Sequence, residues 1–431
     1  MKQEGRIPKM TELFGRPNSD DRKLEIMPWH LIIFSAIGYF IDLFDTFLVP
    51  SVRIQSFRDL GIPDAFSLGA YTTVLNWQLT GQVIGAFLLW GPAADFRGRR
   101  KVLIGSILVY SLANMATAMV TNTFYYSMAR FIAGIGLGGE LGAAVTLIAE
   151  ALPGVHDGRR RSIATMVVGA CGMLGVVGAA GLSSLGLPWR LMFVVGGLLG
   201  LCILLLRMGI HESRLFQASG RVSKSSALRQ LFQLPSLIKL IACILVGAPS
   251  FLVCGLLVPG APEFAHAIGM KVRPDPSYAL IWTYLCIAIG DIFCGGLSGL
   301  IGSRKKSLII FHVITFLAVT SFYFYPPTSV VSFYLRCGLT GIGLGYWGNM
   351  VANAAEQFPT GTRGTATIAV PNCVRFLLFP ISAAVWFLVP TIGFRTATLD
   401  VAVVCSALAI AAISSLPDGA KLGLKGEKSV A

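Results

Sequence analysis

Charged residues are scarce in this chain. Only 13% of its 431 residues are Asp, Glu, Lys or Arg, whereas 54% are hydrophobic and the mean hydropathy is +0.71. A water-soluble globular protein carries about 25% charged residues. The composition therefore excludes a water-exposed fold and predicts an integral membrane protein.

Clusters of metal-binding or nucleophilic side chains are also missing. His312 stands alone at membrane depth, and the nine cysteines lie singly in apolar stretches without a C-x-x-C pair. A nucleotide-binding glycine loop is absent from the sequence as well. We therefore predict no metal, no cofactor and no enzymatic activity, and we expect an ion gradient to supply the energy.

The basic excess, 35 Lys and Arg against 21 Asp and Glu, does not form one patch. It lies in short clusters between apolar runs, so we expect no nucleic-acid partner. The clusters concentrate in alternate loops, beginning with the polar N-terminal tail. By the positive-inside rule both termini are predicted to be cytoplasmic, with the lipid bilayer as the partner of these charges.

Twelve apolar segments are long enough to span a bilayer, which takes about 20 residues as a helix. Their many internal glycines favour packed helices. The predicted fold is an all-α membrane protein with twelve transmembrane helices in two pseudo-symmetric six-helix bundles. Its predicted parts are a cytoplasmic tail (1–28), an N-terminal bundle (29–209), a cytoplasmic central loop (210–236), a C-terminal bundle (237–416) and a second cytoplasmic tail (417–431).

One motif occurs twice. Arg130-Phe-Ile-Ala-Gly-Ile-Gly-Leu-Gly leads to Glu150-Ala-Leu-Pro153, and Arg336-Cys-Gly-Leu-Thr-Gly-Ile-Gly-Leu-Gly leads to Glu356-Gln-Phe-Pro359. The offset of 206 residues between the two arginines predicts two parallel halves of one architecture, in which Arg336 repeats Arg130.

Several linked motifs stand in the order that one family shows. They are the loop Gly91-Pro-Ala-Ala-Asp95-Phe-Arg-Gly98-Arg99-Arg100-Lys101, the segment from Arg130 to Pro153, the segment from Pro188 to Arg214, and the segment from Glu356 to Gly364. In these motifs the chain resembles the major facilitator superfamily, and within it the sugar-porter-like branch of metabolite:proton symporters. The resemblance covers essentially the whole chain and implies secondary transport by alternating access.

Charges at membrane depth mark candidate sites, because each costs at least about 2.5 kcal/mol to insert. Asp45 and Arg130 are expected at similar depths and can form an ion pair that switches proton affinity. The resemblance implies this proton-coupling role for both; the alternative is a static ion pair. Asp42 is a candidate second proton site, a cation-binding acid, or a polar residue that faces the cavity.

A substrate site is predicted near the midplane. The planar fork of Arg375 matches a carboxylate, which makes it the candidate for an anionic substrate group. Asp291 is expected at the same depth and is a further substrate-binding candidate; the alternative is an Arg375–Asp291 salt bridge that never meets substrate. Other polar and aromatic residues could complete the site or serve only in helix packing: Trp77, Gln78, Gln82, Tyr284, Tyr346, Trp347, Asn349, Asn353 and Asn372.

The loop motifs are predicted to act in conformational switching. Asp95 can pair with cytoplasmic bases or a helix N-terminus and hold an inner gate closed. For the arginines the alternative is plain positive-inside charge. The second copy of the loop has glycine in place of Asp95, so we expect the C-terminal half to lack this contact. The predicted gating residues are Gly91, Asp95, Gly98, Arg99, Arg100, Glu150, Arg159, Glu212, Glu356 and Arg363.

These observations predict a proton-coupled symporter of a small, carboxylate-bearing metabolite. We expect it in a bacterial inner membrane and functional as a monomer. A neutral sugar symporter, an exporter of amphipathic compounds, and a receptor that senses substrate without moving it are the alternatives.

Overall fold

A computed structural model describes residues 29–90, 93, 99–139, 158–207, 232–358 and 360–418. Within these ranges the side chains of 30–31, 99–100, 158–166, 206–207 and 360–364 are not described. All regular secondary structure in the described ranges is helical. A helix satisfies its own backbone hydrogen bonds, which apolar surroundings require.

The first group of helices lies in residues 29–207. A π-helical turn at Gly85–Trp90 continues the third of them. The group comprises α1 (Trp29–Ser51), α2 (Arg53–Asp59), α3 (Asp64–Ile84), α4 (Arg99–Thr117), α5 (Thr123–Leu137), α6 (Gly158–Ser184) and α7 (Trp189–Arg207).

The second group lies in residues 234–415. A π-helical turn at Val253–Leu257 follows its second helix. The group comprises α8 (Leu234–Leu245), α9 (Ala248–Leu252), α10 (Ala261–Ala267), α11 (Pro276–Ile301), α12 (Arg304–Phe324), α13 (Val330–Leu344), α14 (Trp347–Glu356), α15 (Thr360–Phe376) and α16 (Leu378–Ser415).

Each group packs chiefly on itself. In the first, α1 packs on α6, α3 on α5, and α4 on both α5 and α7. In the second, α13 packs on α11 and α12, and α16 on α9 and α12. The two groups meet mainly where α6 packs on α11 and α3 on α15. Any site between the groups is therefore bounded by these helices and by α1.

Five of the described helical runs are long and apolar enough to cross a membrane. The number is six if α8 and α9, which meet at an angle of 43°, count as one span. Two further apolar helices, Lys101–Thr117 and Trp189–Leu205, are shorter. The other predicted spans are interrupted, or they run into residues outside the described ranges, as α5 does. The number of twelve transmembrane helices therefore stays a prediction.

Glycine and proline interrupt the helices of the second group. Pro249 has no N–H to donate, and the bend between α8 and α9 lies beside it. Gly345 separates α13 from α14. Gly393 has a φ of +76°, which favours glycine, and divides α16 into two helical parts. Interrupted helices are frequent around the binding sites of transporters.

The glycines of the repeated motif lie at close helix–helix contacts. A Cβ on Gly134 would overlap the carbonyl oxygen of Gln78, and a Cβ on Gly341 would overlap that of Thr283. Glycine therefore lets α5 approach α3, and α13 approach α11, in the same way. The two halves share this helix contact.

The expectation that Arg336 repeats Arg130 is wrong. The equivalent glycines, Gly134 and Gly341, are 207 residues apart, whereas the arginines are 206 apart. One residue is about 100° around a helix, so Arg336 points elsewhere and Cys337 occupies the place equivalent to Arg130. Arg336 is partly exposed and donates to the Ser321 carbonyl at 2.5 Å, whereas Arg130 is fully buried.

Candidate functional site

A small cavity lies where the two helix groups meet. Small-molecule sites are usually concave and mostly apolar, with a few fixed polar groups. Arg375 is the one charged side chain among its described lining residues. The lining consists of Tyr39, Leu43, Phe47, Met173, Ser250, Phe251, Cys254, Tyr284, Ile287, Leu344, Trp347 and Arg375.

Arg375 links α15 to the first helix group. Its Nη2 lies 3.2 Å from Oδ2 of Asp42 on α1, and its Nη1 donates to Oε1 of Gln82 on α3 at 3.4 Å. Arg375 and Asp42 are both fully buried. These contacts are longer than the 2.7–2.9 Å typical of a charge-assisted hydrogen bond. Arg375 thus joins α15 to α1 and α3 without a close bidentate pair.

The expected alternative, an Arg375–Asp291 salt bridge, is wrong. Asp291 Oδ1 instead accepts a hydrogen bond from the Gly348 N–H at 2.9 Å. Gly348 lies in the first turn of α14, just after the break at Gly345, where helix N–H groups lack partners within the helix. Asp291 therefore caps the second part of an interrupted helix.

Tyr39 and Asp42 share one face of α1, because residues three apart lie on the same side of a helix. The Tyr39 hydroxyl lies beside the guanidinium of Arg375 and the indole of Trp347. Phe47, two turns further on, meets the ring of Tyr284 edge to face with 4.9 Å between centroids. This face of α1 therefore forms one wall of the cavity.

Asp45 and Arg130 lie in a separate buried cluster of the first group. The Asp45 charge attracts Arg130. The guanidinium also donates to Asn114 Oδ1 at 2.5 Å and to Thr117 Oγ1 at 2.9 Å. Gly196 packs directly on the Asp45 carboxylate. Arg130 therefore keeps neutral hydrogen-bond partners whatever the protonation state of Asp45.

The other residues predicted for the substrate site fall into two groups, those at the cavity and those away from it. Trp347 and Tyr284 line the cavity, and Gln82 touches Arg375. Trp77 does not face the cavity: it is 43% exposed on the outside of α3, edge to face with Phe131, which corrects its predicted role.

The remaining polar residues of the predicted set make contacts within or between helices. Gln78 Nε2 is 3.5 Å from the Thr46 carbonyl, and Asn372 donates to the Ile368 carbonyl at 3.0 Å. Asn349 accepts from Arg304 Nη1 at 3.2 Å, and Asn353 is buried on the same helix. Tyr346 lies behind the lining: its hydroxyl is 2.9 Å from Ser250 Oγ, and its ring stacks on His312.

One end of the molecule, the Arg53 face, is closed by contacts between the helix groups. Arg53 donates two hydrogen bonds to Glu263 at 2.7 and 2.9 Å and a third to Ser67 Oγ. Nearby, the Tyr71 hydroxyl donates to the Gly255 carbonyl at 2.8 Å. A bidentate pair between a buried arginine and a carboxylate fixes both partners. The cavity is therefore shut toward this face.

At the opposite end, the Arg304 face, polar contacts tie the helices of the second group to one another. Arg304 pairs with Glu356 at 2.7 Å. Asp418, just beyond α16, accepts from Ser303 Oγ and from the Arg304 N–H. The expectation that the C-terminal half lacks an acid at this helix terminus is therefore corrected, because Asp418 supplies it.

Most predicted gating residues cannot be placed. Gly91, Asp95, Gly98, Glu150 and Glu212 lie outside the described residues. Four more fall in helices but have side chains that are not described: Arg99, Arg100, Arg159 and Arg363. Glu356 is the described member of the set, with Arg304 as its ion-pair partner.

Comparison with known proteins identifies the family. Residues 35–383 match the Major Facilitator Superfamily. The chain belongs to this family and is a multi-pass integral membrane protein, a secondary transporter of small molecules and not an enzyme. A central cavity between two helix groups, with polar contacts at the Arg53 face and the Arg304 face, agrees with that class.

Individual relatives are carriers of small organic molecules. A putative metabolite transport protein of Haemophilus influenzae is 29% identical over 92% of this chain and 98% of its own. The 4-hydroxybenzoate transporter PcaK of Pseudomonas putida is 33% identical over 44% of this chain and 41% of its own. The niacin transporter NiaP of Acinetobacter baylyi is 26% identical over 76% of this chain and 80% of its own.

A solved structure shares the fold. The crystal structure of a D-xylose-proton symporter superposes with a TM-score of 0.67 at 16% identity, covering 89% of this chain and 97% of that one. This similarity shows an all-helical fold of the Major Facilitator Superfamily.

Sequence reasoning missed Tyr39, Arg53 and Glu263. Tyrosine is common in apolar helices, so Tyr39 carries no signal of its own; its place one turn before Asp42 is the clue that was available. Arg53 follows α1 directly and resembles an ordinary loop base. Its partner Glu263 is 210 residues away in the chain.

Proposed function

We propose that this protein imports a small organic carboxylate together with a proton. The observation that carries the proposal is Arg375, a buried guanidinium in a cavity with no other charged side chain among its described lining residues, with Asp42 and Gln82 at 3.2 and 3.4 Å. A charge at this depth is costly and is retained where it binds a ligand or moves an ion. The planar fork suits a carboxylate in particular.

The proposed architecture is two six-helix bundles, 29–209 and 237–416, joined by the cytoplasmic loop 210–236. Both tails, 1–28 and 417–431, lie in the cytoplasm, so the Arg53 face is the outer face. The packing of the described helices into two groups and the basic loops support this arrangement. The protein works as a monomer in a bacterial cytoplasmic membrane, and Arg304 with Glu356 belongs to the inner gate.

The proposed substrates carry an aromatic or heteroaromatic ring. Tyr39, Phe47, Phe251, Tyr284 and Trp347 surround the cavity, and flat rings pack favourably against such walls. The relatives named for 4-hydroxybenzoate and niacin support the same class. One cation and an aromatic lining favour a monocarboxylate over a sugar.

Asp42 couples the proton to this substrate, because the Asp42 carboxylate and the substrate carboxylate compete for Arg375. Protonation from the outside neutralises Asp42 and frees the guanidinium for the substrate. Loss of that proton to the cytoplasm restores the Asp42–Arg375 pair and expels the substrate. A ligand shifts a conformational equilibrium only through such a difference in interaction energy. Asp45 with Arg130 is a second proposed proton site.

Uptake into proteoliposomes tests the function. We expect 4-hydroxybenzoate or nicotinate to accumulate when the outside is made acidic, and the matched amides, 4-hydroxybenzamide and nicotinamide, not to accumulate. Accumulation of a sugar or of an amide in place of the acids would contradict the proposal. Tight binding of the acids without uptake would instead identify a receptor.

A further inference from the structure

The cavity holds two hydrogen-bond donors that no function has yet been given. Tyr39 is buried on α1, and Trp347 is the first residue of α14 after the helix break. In the described part of the chain, the Trp347 Nε1 and the Arg375 guanidinium both approach the Tyr39 hydroxyl oxygen, but neither the Tyr39 O–H nor the Trp347 N–H makes a hydrogen bond of regular geometry. Buried donors without acceptors destabilise a protein unless a ligand supplies the acceptor.

Both donors lie at the Arg375 end of the cavity. The Tyr39 hydroxyl is close to the Arg375 guanidinium and to the Trp347 indole. A carboxylate offers about four acceptor positions on its two oxygens. A bidentate contact with Arg375 leaves two of these positions for other donors. Arg375, Tyr39 and Trp347 together can therefore satisfy one carboxylate group.

We propose that Tyr39 and Trp347 complete, together with Arg375, the binding site for the substrate carboxylate. This inference rests on the proposed function. Arg375 supplies the charge, and the two neutral donors supply orientation, so that the ring of the substrate lies along the aromatic wall. Tyr39 and Trp347 then determine specificity, because an amide offers these donors a weaker acceptor and repels them with its own N–H groups.

The fold holds the two donors in place. A Cβ on Gly172 of α6 would overlap the ring of Tyr39 at Cδ1, so glycine is required for the ring to lie where it does. The break at Gly345 starts a new helix at Trp347 and so sets the direction of its indole. Changing Gly172 thus offers a way to move Tyr39 without removing its hydroxyl.

Binding to purified protein in lipid nanodiscs tests the proposal without any need for transport. The probes are radiolabelled nicotinate and 4-hydroxybenzoate, with nicotinamide and 4-hydroxybenzamide as competitors. Tyr39→Phe and Trp347→Phe should each weaken binding of the acids about 10- to 100-fold, the value of one hydrogen bond to a charged group, and leave amide binding within about twofold. Gly172→Ala should also weaken binding of the acids.

Tyr323→Phe is the matched control. The Tyr323 hydroxyl is buried too, but it bonds to Thr398 Oγ1 at 3.0 Å, and Tyr323 does not line the cavity. This variant should bind the acids as the unchanged protein does. Thermal unfolding without ligand shows that each variant is folded.

Two outcomes overturn the inference in different ways. If the unchanged protein prefers acids over amides and Tyr39→Phe keeps the whole preference, the carboxylate site does not include Tyr39, although the proposed function stands. If the unchanged protein binds none of the acids, the proposed function fails and this inference fails with it.

Discussion

At the scale of single residues, the proposed substrate class rests on Arg375. Its guanidinium is the charged group among the described lining residues, and its contacts to Asp42 and Gln82 are long. In the proposed cycle, protonation of Asp42 leaves the buried guanidinium without a counter-charge, so it favours an anion over a neutral hydroxyl compound. On this proposal charge, more than shape, sets the substrate class.

The variant Arg375→Lys separates the effect of the positive charge on substrate affinity from the effect of the guanidinium geometry. Lysine keeps the positive charge but loses the two-pronged fork, so affinity for the aromatic acid should fall by about 1.5–3 kcal/mol. Equilibrium binding of nicotinate measures the change. Arg336→Lys is the control, because Arg336 lies outside the cavity and donates to a backbone carbonyl that lysine can also reach. Unchanged affinity in Arg375→Lys would exclude the bidentate contact.

Sequence alone could name the buried charges but not all of their partners. Asp42, Asp45, Arg130, Asp291 and Arg375 stand out because ions inside a membrane are rare. Arg375 meets Asp42 across 333 residues of chain, and this contact depends on how the two helix groups dock. No local sequence pattern carries that information, which is why Asp291 was considered as the partner from the sequence alone.

At the scale of helices, the break between α13 and α14 shapes the site. It aims Trp347 into the cavity and presents the Gly348 N–H to Asp291. Gly345 makes the break possible by lying directly on the backbone of Gly290 and Asp291 on α11. Glycine at a close helix contact is therefore a structural requirement here.

Gly345→Ala should destabilise the protein by about 1–3 kcal/mol, because its methyl group would overlap the α11 backbone. Gly299→Ala on α11 is the matched control: a Cβ there meets nothing within 4 Å, and alanine favours a helix by up to about 1 kcal/mol. Thermal unfolding in one detergent compares the two. Equal midpoints for both variants would show that Gly345 is not in a tight contact.

The helices themselves were predictable, whereas their interruptions were only partly so. Apolar runs of membrane length force helix formation, and the repeat indicated two related halves. Pro249 predicts a bend, because proline has no backbone N–H to donate to the helix. Gly345 resembles the many glycines that merely allow close packing. The repeat also misled, because one extra residue between Arg336 and Gly341 rotates the arginine away from the position of Arg130.

At the scale of the whole molecule, the Arg53–Glu263 pair holds the proposed outer face closed. Arg53 is fully buried, and Glu263 belongs to the other helix group. Removing one partner of a buried pair costs far more than removing an exposed pair. The pair should therefore bias the equilibrium between the open and closed outer face.

Labelling of Cys254 measures this bias, since Cys254 lines the cavity. With the other cysteines replaced, a membrane-impermeant maleimide added outside should label Cys254 about tenfold faster in Arg53→Ala. The exchanged pair Arg53→Glu with Glu263→Arg should restore slow labelling. Arg58→Ala, which breaks an exposed pair with Asp64, should change nothing. Equal labelling in all variants would show that the Arg53–Glu263 pair is no gate.

The most direct test of the central claim compares two transport modes of Asp42→Asn in proteoliposomes. Asparagine resembles a permanently protonated Asp42 and cannot compete as an anion for Arg375. The variant should therefore exchange labelled nicotinate across the membrane but fail to accumulate it when the outside is acidified, whereas the unchanged protein does both. Accumulation by Asp42→Asn at the level of the unchanged protein would contradict coupling through the Asp42–Arg375 pair.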